Sequence, residues 1–168
     1  MKKAELAELY RYWESLREEN GTVPKKKLDP AKLPKILLPN MAVLEKPAGE
    51  DRFRYRLAGT ALSEGIDPSG QYLDDVLANI PAYADHLNIL FNEALHSRTG
   101  LYSEHEYEVG PPFIRRLILP MTCHAGLPSF LIKCTLFKRS SSAVPMPWQS
   151  RPQQIRELVR TTPGQALR

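Results

Sequence analysis

The chain has few cysteines and no long apolar run, and each absence excludes a class of protein. Its 168 residues contain two cysteines, Cys123 and Cys134, so a disulfide framework is excluded, and their spacing fits no zinc pattern. No apolar stretch reaches the roughly 20 residues that cross a membrane. The charged, amphipathic start at residues 1–13 is unlike a signal peptide. We therefore expect a cytoplasmic protein without membrane insertion.

Residues that would indicate catalysis or nucleic-acid binding are also scarce. Cys123 and His124 are adjacent, but neighbouring residues of a strand point to opposite faces and do not meet as nucleophile and base. Basic charge is concentrated in residues 138–168, which carry six Lys and Arg against a single acidic residue, Glu157. We interpret this segment as a solvated tail, because a nucleic-acid surface needs a structured basic face. The sequence predicts no enzyme, no metal site and no nucleic-acid partner.

Hydrophobic periodicity predicts an α+β domain. Strands with alternating or continuous apolar residues are expected at 41–46, 52–58, 101–109, 113–122 and 129–137, with the last three forming an antiparallel meander. The longest helix of the middle region should begin at Pro81, which suits a first helical position. In the meander, a turn at Pro111 would place Glu106 opposite Arg116 on the exposed face.

The second strand alternates aromatic or apolar residues with arginines. Phe53, Tyr55 and Leu57 should face the core, and the three intervening arginines should face solvent. We favour a solvated face for Arg52, Arg54 and Arg56 over an anion-binding or partner site. Gly59 lets the backbone turn without a side-chain clash, and Thr60 is a suitable N-cap for a short helix.

An apolar stripe in the first residues predicts an amphipathic helix over 3–19. The stripe consists of Leu6, Leu9, Tyr10, Trp13 and Leu16. It has two candidate partners, which the sequence leaves open: the outer face of the chain's own sheet, or a second copy of the chain in a homodimer.

Composition divides the chain into three parts. We expect an N-terminal helix and linker at 1–27, a folded domain at 28–139 and a Pro/Ser-rich basic tail at 140–168. The tail should be irregular, with about two turns of helix available to residues 153–160.

The order of these elements, and several segments, resemble a PAS domain. LYRYWESLR at 9–17, FRYRLAGTAL at 53–62 and DPSGQYLDDV at 67–76 are similar to a PAS-type family found mainly in alphaproteobacteria. The resemblance implies a five-stranded antiparallel sheet of order 2-1-5-4-3 with helices over one face, and a sensory or regulatory role. The sequence departs from the family pattern at Arg115 and Arg116, where an acidic residue commonly stands.

The resemblance also directs attention to the space between the sheet and its helices. We expect nine residues to surround that space and to form either a ligand pocket or a filled core; they are Tyr55, Leu57, Leu62, Tyr72, Leu87, Phe91, Leu119, Ile132 and Cys134. Some PAS domains bind haem from the long helix, which here carries His86 and His96. We favour a hydrogen-bonded core histidine at His86 and predict no cofactor.

These observations predict a PAS-type sensory or regulatory protein. It would bind a small apolar or amphipathic ligand and signal through contact with a partner protein. The alternative is a protein-interaction or dimerisation module with a filled core and no ligand.

Overall fold

The computed structural model describes residues 3–63, 66–107, 114–123, 128–137 and 155–161. Four α-helices lie within these ranges: α1 at Lys3–Ser15, α2 at Thr60–Ser63, α3 at Leu73–Val76 and α4 at Pro81–Ser97. Between α1 and the first strand, residues 30–40 form two separate stretches of 3-10 helix, Pro30–Lys32 and Lys35–Asn40, and no continuous α-helix. Two prolines at 34 and 39 account for this, since neither can donate the backbone hydrogen bond that a continuous α-helix requires.

The described strands form one antiparallel sheet. They are β1 at Met41–Glu45, β2 at Arg54–Ala58, β3 at Leu101–Tyr107, β4 at Ile114–Thr122, β5 at Pro128–Phe137 and β6 at Ile155–Thr161. Their spatial order is β2-β1-β5-β4-β3-β6. The first five strands have the predicted order 2-1-5-4-3, so the predicted fold class is confirmed.

The sixth strand corrects the prediction for the end of the chain. Residues 155–161 pair antiparallel with β3, with Tyr107 opposite Ile155 and Tyr102 opposite Thr161. The sequence analysis had allowed two turns of helix at 153–160. Periodicity cannot distinguish helix from strand in so short a segment, and pairing with the open edge of β3 satisfies backbone groups that a lone helix turn would leave to water.

Each face of the sheet is buried in an apolar core of its own. The inner face, defined as the one that packs against α4, includes Leu44, Ile118 and Leu131. The outer face, which packs against α1, includes Leu117, Leu119 and Ile132. Because β4 and β5 are covered on both sides, their sequences are almost continuously apolar.

Helix α1 covers the outer face of its own sheet. Leu6, Leu9 and Trp13 are completely buried there, and Tyr10 nearly so, while Leu16 is partly buried at the edge of the same core. The Trp13 indole Nε1 donates a hydrogen bond to the carbonyl oxygen of Pro120 in β4, at 3.0 Å. The apolar stripe of α1 therefore packs on the chain's own sheet, the first of the two partners that the sequence left open. A homodimer interface through these side chains would require α1 to detach from the sheet.

A bulge in β1 and β2 corrects the predicted orientation of Leu57. Val43 is opposite Leu57, but the next residue, Leu44, is opposite Tyr55, so the register shifts by one residue at Arg56. Alternation therefore fails there. Phe53 and Tyr55 are buried as predicted, whereas Leu57 is 59% exposed.

The arginines beside β2 form ion pairs with carboxylates of the same chain. Arg52 Nη2 lies 2.8 Å from both Asp74 Oδ1 and Asp75 Oδ2. Arg54 donates from Nε to Glu45 Oε1 at 2.9 Å, and Arg56 lies 3.5 Å from the same oxygen. These pairs agree with a charged surface face and give no support to an anion site on it.

Gly59 is required by a close backbone approach. A Cβ atom at this position would lie 2.3 Å from the Leu38 carbonyl oxygen and 2.4 Å from that of Pro39. We predict that Gly59→Ala lowers the free energy of unfolding by about 3 kcal/mol, because backbone atoms cannot rotate away as a side chain would. Urea denaturation measures the loss.

Gly21→Ala is the control for the Gly59 variant. Gly21 has φ of +81° and no atom near its Cβ position, so alanine there adds backbone strain alone, worth about 1 kcal/mol. Equal losses in the two variants would show that the contact with residues 38 and 39 does not determine the identity of Gly59.

Candidate functional site

The nine residues predicted to surround one space lie in three places. Tyr55, Leu87 and Phe91 belong to the inner core, and Leu62 packs partly buried against it. Leu119, Ile132 and Cys134 belong instead to the outer core under α1. On β4 and β5, the prediction assigned the wrong set of alternate residues to the face that packs against α4. Both faces of those strands are apolar, so hydrophobicity did not indicate which one faces α4.

Leu57 and Tyr72 lie outside both cores. Leu57 is exposed because of the bulge, and the Tyr72 phenol donates to Glu50 Oε2 at 2.5 Å. The Arg52 guanidinium lies 4.0 Å from the centre of the Tyr72 ring. Tyr72 thus has a hydrogen-bond partner and a cation–π contact at the surface.

Two basic residues that the sequence analysis did not assign to the site lie on the inner face. Arg116 is completely buried and Lys133 is 6% exposed. Arg116 is opposite Thr135, and Lys133 is opposite Ile118, two residues further along β4. The two cations are therefore diagonal neighbours on adjacent strands. They lie in the centre of the sheet, on the face that α4 covers.

Arg116 forms the centre of a polar row across three strands. It lies opposite Ser103 of β3 on one side and Thr135 of β5 on the other. Its Nη2 donates a hydrogen bond to the Tyr83 hydroxyl of α4, which links the sheet to the helix above it. The predicted partner of Arg116 was Glu106 on an exposed face. This was wrong in both register and burial, because Ser103, and not Glu106, lies opposite Arg116 and the arginine is completely buried.

The hydroxyl groups of this row are buried as well. Within the described residues, neither Ser103 Oγ nor Thr135 Oγ1 has a hydrogen-bond partner. An unsatisfied buried hydroxyl costs about 1 to 3 kcal/mol. The row therefore offers two unused polar groups beside a buried guanidinium.

Lys133 is surrounded by groups that disfavour its charge. Its Nζ lies 6.0 Å from the centre of the Tyr55 ring, and no described residue forms an ion pair or a hydrogen bond with its ammonium. Burial lowers the pKa of Lys133, and the positive charge of Arg116 lowers it further, to about 7. Burial also raises the pKa of Tyr55, so that its phenol stays neutral. The inner face thus contains an amine that is poised to change charge near neutral pH.

The burial of Lys133 could have been predicted from the sequence. The predicted strand order places SFLIKCTLF at 129–137 in the middle of the sheet, with helices over one face and a candidate helix over the other. A lysine inside such a strand has no route to solvent on either side. The sequence analysis used the apolar residues of this strand and omitted its single charge.

Histidine and cysteine form no cluster in the described part of the chain. His86 is half-buried on α4 and His96 is exposed near its end, while His124 lies outside the described residues. Cys134 is buried in the outer core and Cys123 is partly exposed. No group of three His, Cys, Asp or Glu side chains with metal-binding geometry occurs among the described residues.

Comparison with known families agrees with the fold. The family model described as a PAS domain matches residues 1–73, from α1 to the beginning of α3. The matched segment, residues 1–73 of 168, is similar to a PAS domain. No curated protein and no solved structure matched the chain. The match covers the RYRLAGT segment, which the sequence analysis used for the same assignment.

A match to a PAS domain indicates a sensory or regulatory role in general terms. Among the described residues, no helix combines the length and the hydropathy needed to cross a membrane. The inner face that lies beneath α4, with Arg116 and Lys133 at its centre, is the candidate functional site.

Proposed function

We propose that this protein is a sensor that binds a small amphipathic molecule between the inner face of its sheet and α4. The observation that carries the proposal is the burial of Lys133 on the inner face of the sheet, where no described residue pairs with its ammonium. Structural cores exclude charges unless they are paired, because an uncompensated buried charge costs several kcal/mol. Ionisable groups retained in such places are concentrated at binding and catalytic sites.

The surroundings of this lysine fit an amphipathic ligand. Leu44, Leu87 and Phe91 supply apolar surface on the sheet and the helix, and Tyr83 and Ser103 supply hydroxyl groups. A site with many apolar side chains and a few convergent polar groups is typical of small-molecule binding.

We further propose that occupancy is communicated to a partner protein through α1. Successive residues of β5 face opposite sides of the sheet. Lys133 therefore faces α4, while Ile132 and Cys134 belong to the outer core beneath α1. A ligand that shifts β5 by a fraction of an ångström therefore changes the packing beneath α1. Packed interfaces of this kind respond in discrete steps, which can expose or cover a surface for another chain.

Native mass spectrometry of the purified full chain tests ligand binding. We expect a mass excess that disappears under denaturing conditions and that Leu87→Trp removes, because the larger ring fills space between α4 and the sheet. Ile89→Trp is the control, since Ile89 lies on the same helix and is 64% exposed. Circular dichroism confirms that both variants fold.

The alternative function, an interaction module with a filled core, predicts a different result. The chain would purify without a bound molecule, and no member of a panel of amphipathic small molecules would raise its melting temperature. That pair of results would contradict the sensor proposal.

A further inference from the structure

We propose that the exposed side of residues 25–38 docks on an anionic lipid surface, with lysines that contact the headgroups and with Ile36 and Leu38 that enter the boundary between headgroups and acyl chains. We call this side the lysine surface. It belongs to the segment between α1 and β1, which packs on the outer face of the sheet. The inference is independent of the proposed ligand site, which lies beneath α4 on the other face.

The local structure of this segment turns its lysines outward. Leu33 and Leu37 are buried in the outer core and hold the two 3-10 stretches, Pro30–Lys32 and Lys35–Asn40, against the sheet. The polar side chains between these apolar anchors lie on the opposite side of the backbone. Four lysines are exposed there, namely Lys26, Lys27, Lys32 and Lys35.

The lysine surface carries a net positive charge. Residues 25–38 contain five lysines and one acidic residue, Asp29, whose carboxylate accepts from the Ala31 amide. Lys27 pairs with Glu18 at 2.9 Å. The other three exposed lysines of this surface form no ion pair within the described residues. Their charges are therefore available to an anionic surface, to which each lysine adds about fivefold in affinity.

Exposed apolar side chains lie beside these lysines. Ile36 is 49% exposed and Leu38 is 43% exposed, and both belong to the second 3-10 stretch. The exposed Leu57 of β2 is close to them, because Gly59, two residues further on, approaches the Leu38 carbonyl oxygen closely. Val43, which is opposite Leu57, packs against the outer core, so Leu57 is on the same side of the sheet. Cations beside exposed aliphatic side chains are the two elements of interfacial lipid binding.

The residue types of the lysine surface favour a lipid over a protein or a nucleic acid. Residues 25–38 contain neither arginine nor an aromatic residue. Protein interfaces are enriched in exactly those residues and depleted of lysine, and aromatic side chains carry the bases of single-stranded nucleic acids. A lysine ammonium is a compact, hydrated point charge on a flexible stem, which suits a diffuse layer of headgroup charge.

Sedimentation with lipid vesicles tests the proposal. The full chain would be mixed with vesicles of phosphatidylcholine, either pure or containing about 30% phosphatidylserine, and the bound fraction measured after centrifugation. We expect binding to the phosphatidylserine vesicles alone, and at least tenfold weaker binding when the salt concentration is raised from about 0.1 to about 0.5 M. No binding to these vesicles, or equal binding to pure phosphatidylcholine, would overturn the proposal.

Paired charge variants test whether the lysine surface is the part that binds. Lys26→Gln/Lys35→Gln should bind phosphatidylserine vesicles at least tenfold more weakly, because it removes two of the unpaired lysines. The control, Lys46→Gln/Arg52→Gln, removes the same charge from side chains that contact α4 and α3, and it should lose less than about twofold. Equal losses in the two variants would show that total charge, and not this surface, determines binding.

A second pair of variants distinguishes a lipid from another polyanion. Ile36→Gln/Leu38→Gln should weaken vesicle binding at least fivefold, since both side chains enter the lipid boundary. Ile89→Gln is the control, because Ile89 is 64% exposed on α4, and it should bind normally. Full binding by Ile36→Gln/Leu38→Gln would mean that the lysines act alone, as they would on a nucleic acid or an acidic protein, and would overturn lipid docking. Circular dichroism verifies that all variants are folded.

Discussion

Replacement of Trp13 by alanine is expected to lower the free energy of unfolding by about 3 to 5 kcal/mol, the usual cost of removing a large aromatic side chain from a core. Trp13 is completely buried between α1 and the outer face. Its indole also donates to the Pro120 carbonyl at 3.0 Å, and the Arg17 guanidinium lies 4.8 Å from the centre of the ring. Alanine loses all three interactions and leaves a cavity above β4.

Urea denaturation followed by circular dichroism measures this loss. Glu8→Ala is the matched control, because Glu8 is exposed on the same helix and should change stability by less than about 0.5 kcal/mol. A loss below 1 kcal/mol for Trp13→Ala would mean that α1 does not pack on the sheet in solution. Sedimentation velocity would then show whether the stripe pairs with a second copy instead.

The order of the elements could be predicted from the sequence because local signals were strong and agreed with one another. Pro81 begins α4 as its first helical residue, and the Asp29 carboxylate accepts from the Ala31 amide to cap the 3-10 turn that follows. The three strands of the meander follow each other through short connections, so their pairing needed little more than chain connectivity. Each of these signals is confined to a few residues, and none depends on tertiary contacts.

Side-chain orientation was harder to predict, for two physical reasons. On β4 and β5 both faces are buried, so Leu119 and Ile132 are as apolar as the residues that face α4. On β2 a single bulge at Arg56 reverses the alternation, and Leu57 turns outward. A bulge depends on the pairing of two strands, so its position cannot be read from the alternation in one of them.

The candidate site itself was missed because charge was taken as a sign of exposure. Arg116 was assigned to the solvent face with a glutamate partner, and Lys133 was not considered. Combining strand position with charge would have drawn attention to both residues, since a basic residue near the middle of a strand that is covered on both faces has little access to solvent.

Substitution of Lys133 by methionine is expected to stabilise the ligand-free protein by about 2 to 4 kcal/mol at pH 6, because it replaces an uncompensated buried cation by an apolar side chain of similar shape. Burial and Arg116 lower the pKa of Lys133 to about 7 in the folded state, whereas in an unfolded chain the lysine has its ordinary pKa of 10.5. Between these two values the unfolded chain binds one proton more than the folded one. Stability of the unsubstituted protein therefore rises with pH in that window.

The pH dependence distinguishes this cause from a general improvement in packing. Below pH 7 both states of the lysine are protonated and the full penalty is present, and near pH 10.5 both are neutral and the penalty is gone. The stability difference between the two proteins should thus be largest at pH 6 and shrink steadily towards pH 10. Tyrosines and cysteines titrate in both proteins and cancel in this difference, apart from Tyr55, whose ring lies beside the lysine.

Urea unfolding at pH 6, 8 and 10 gives this difference directly, with Lys32→Met as the exposed control that should show none. A difference that stays constant with pH would indicate that Lys133 is neutral or paired throughout, and its burial would then no longer support a ligand site. A difference that shrinks as expected means that the free protein retains a lysine that destabilises it. Such a residue would support the proposed ligand site, since the sheet alone would be more stable without it.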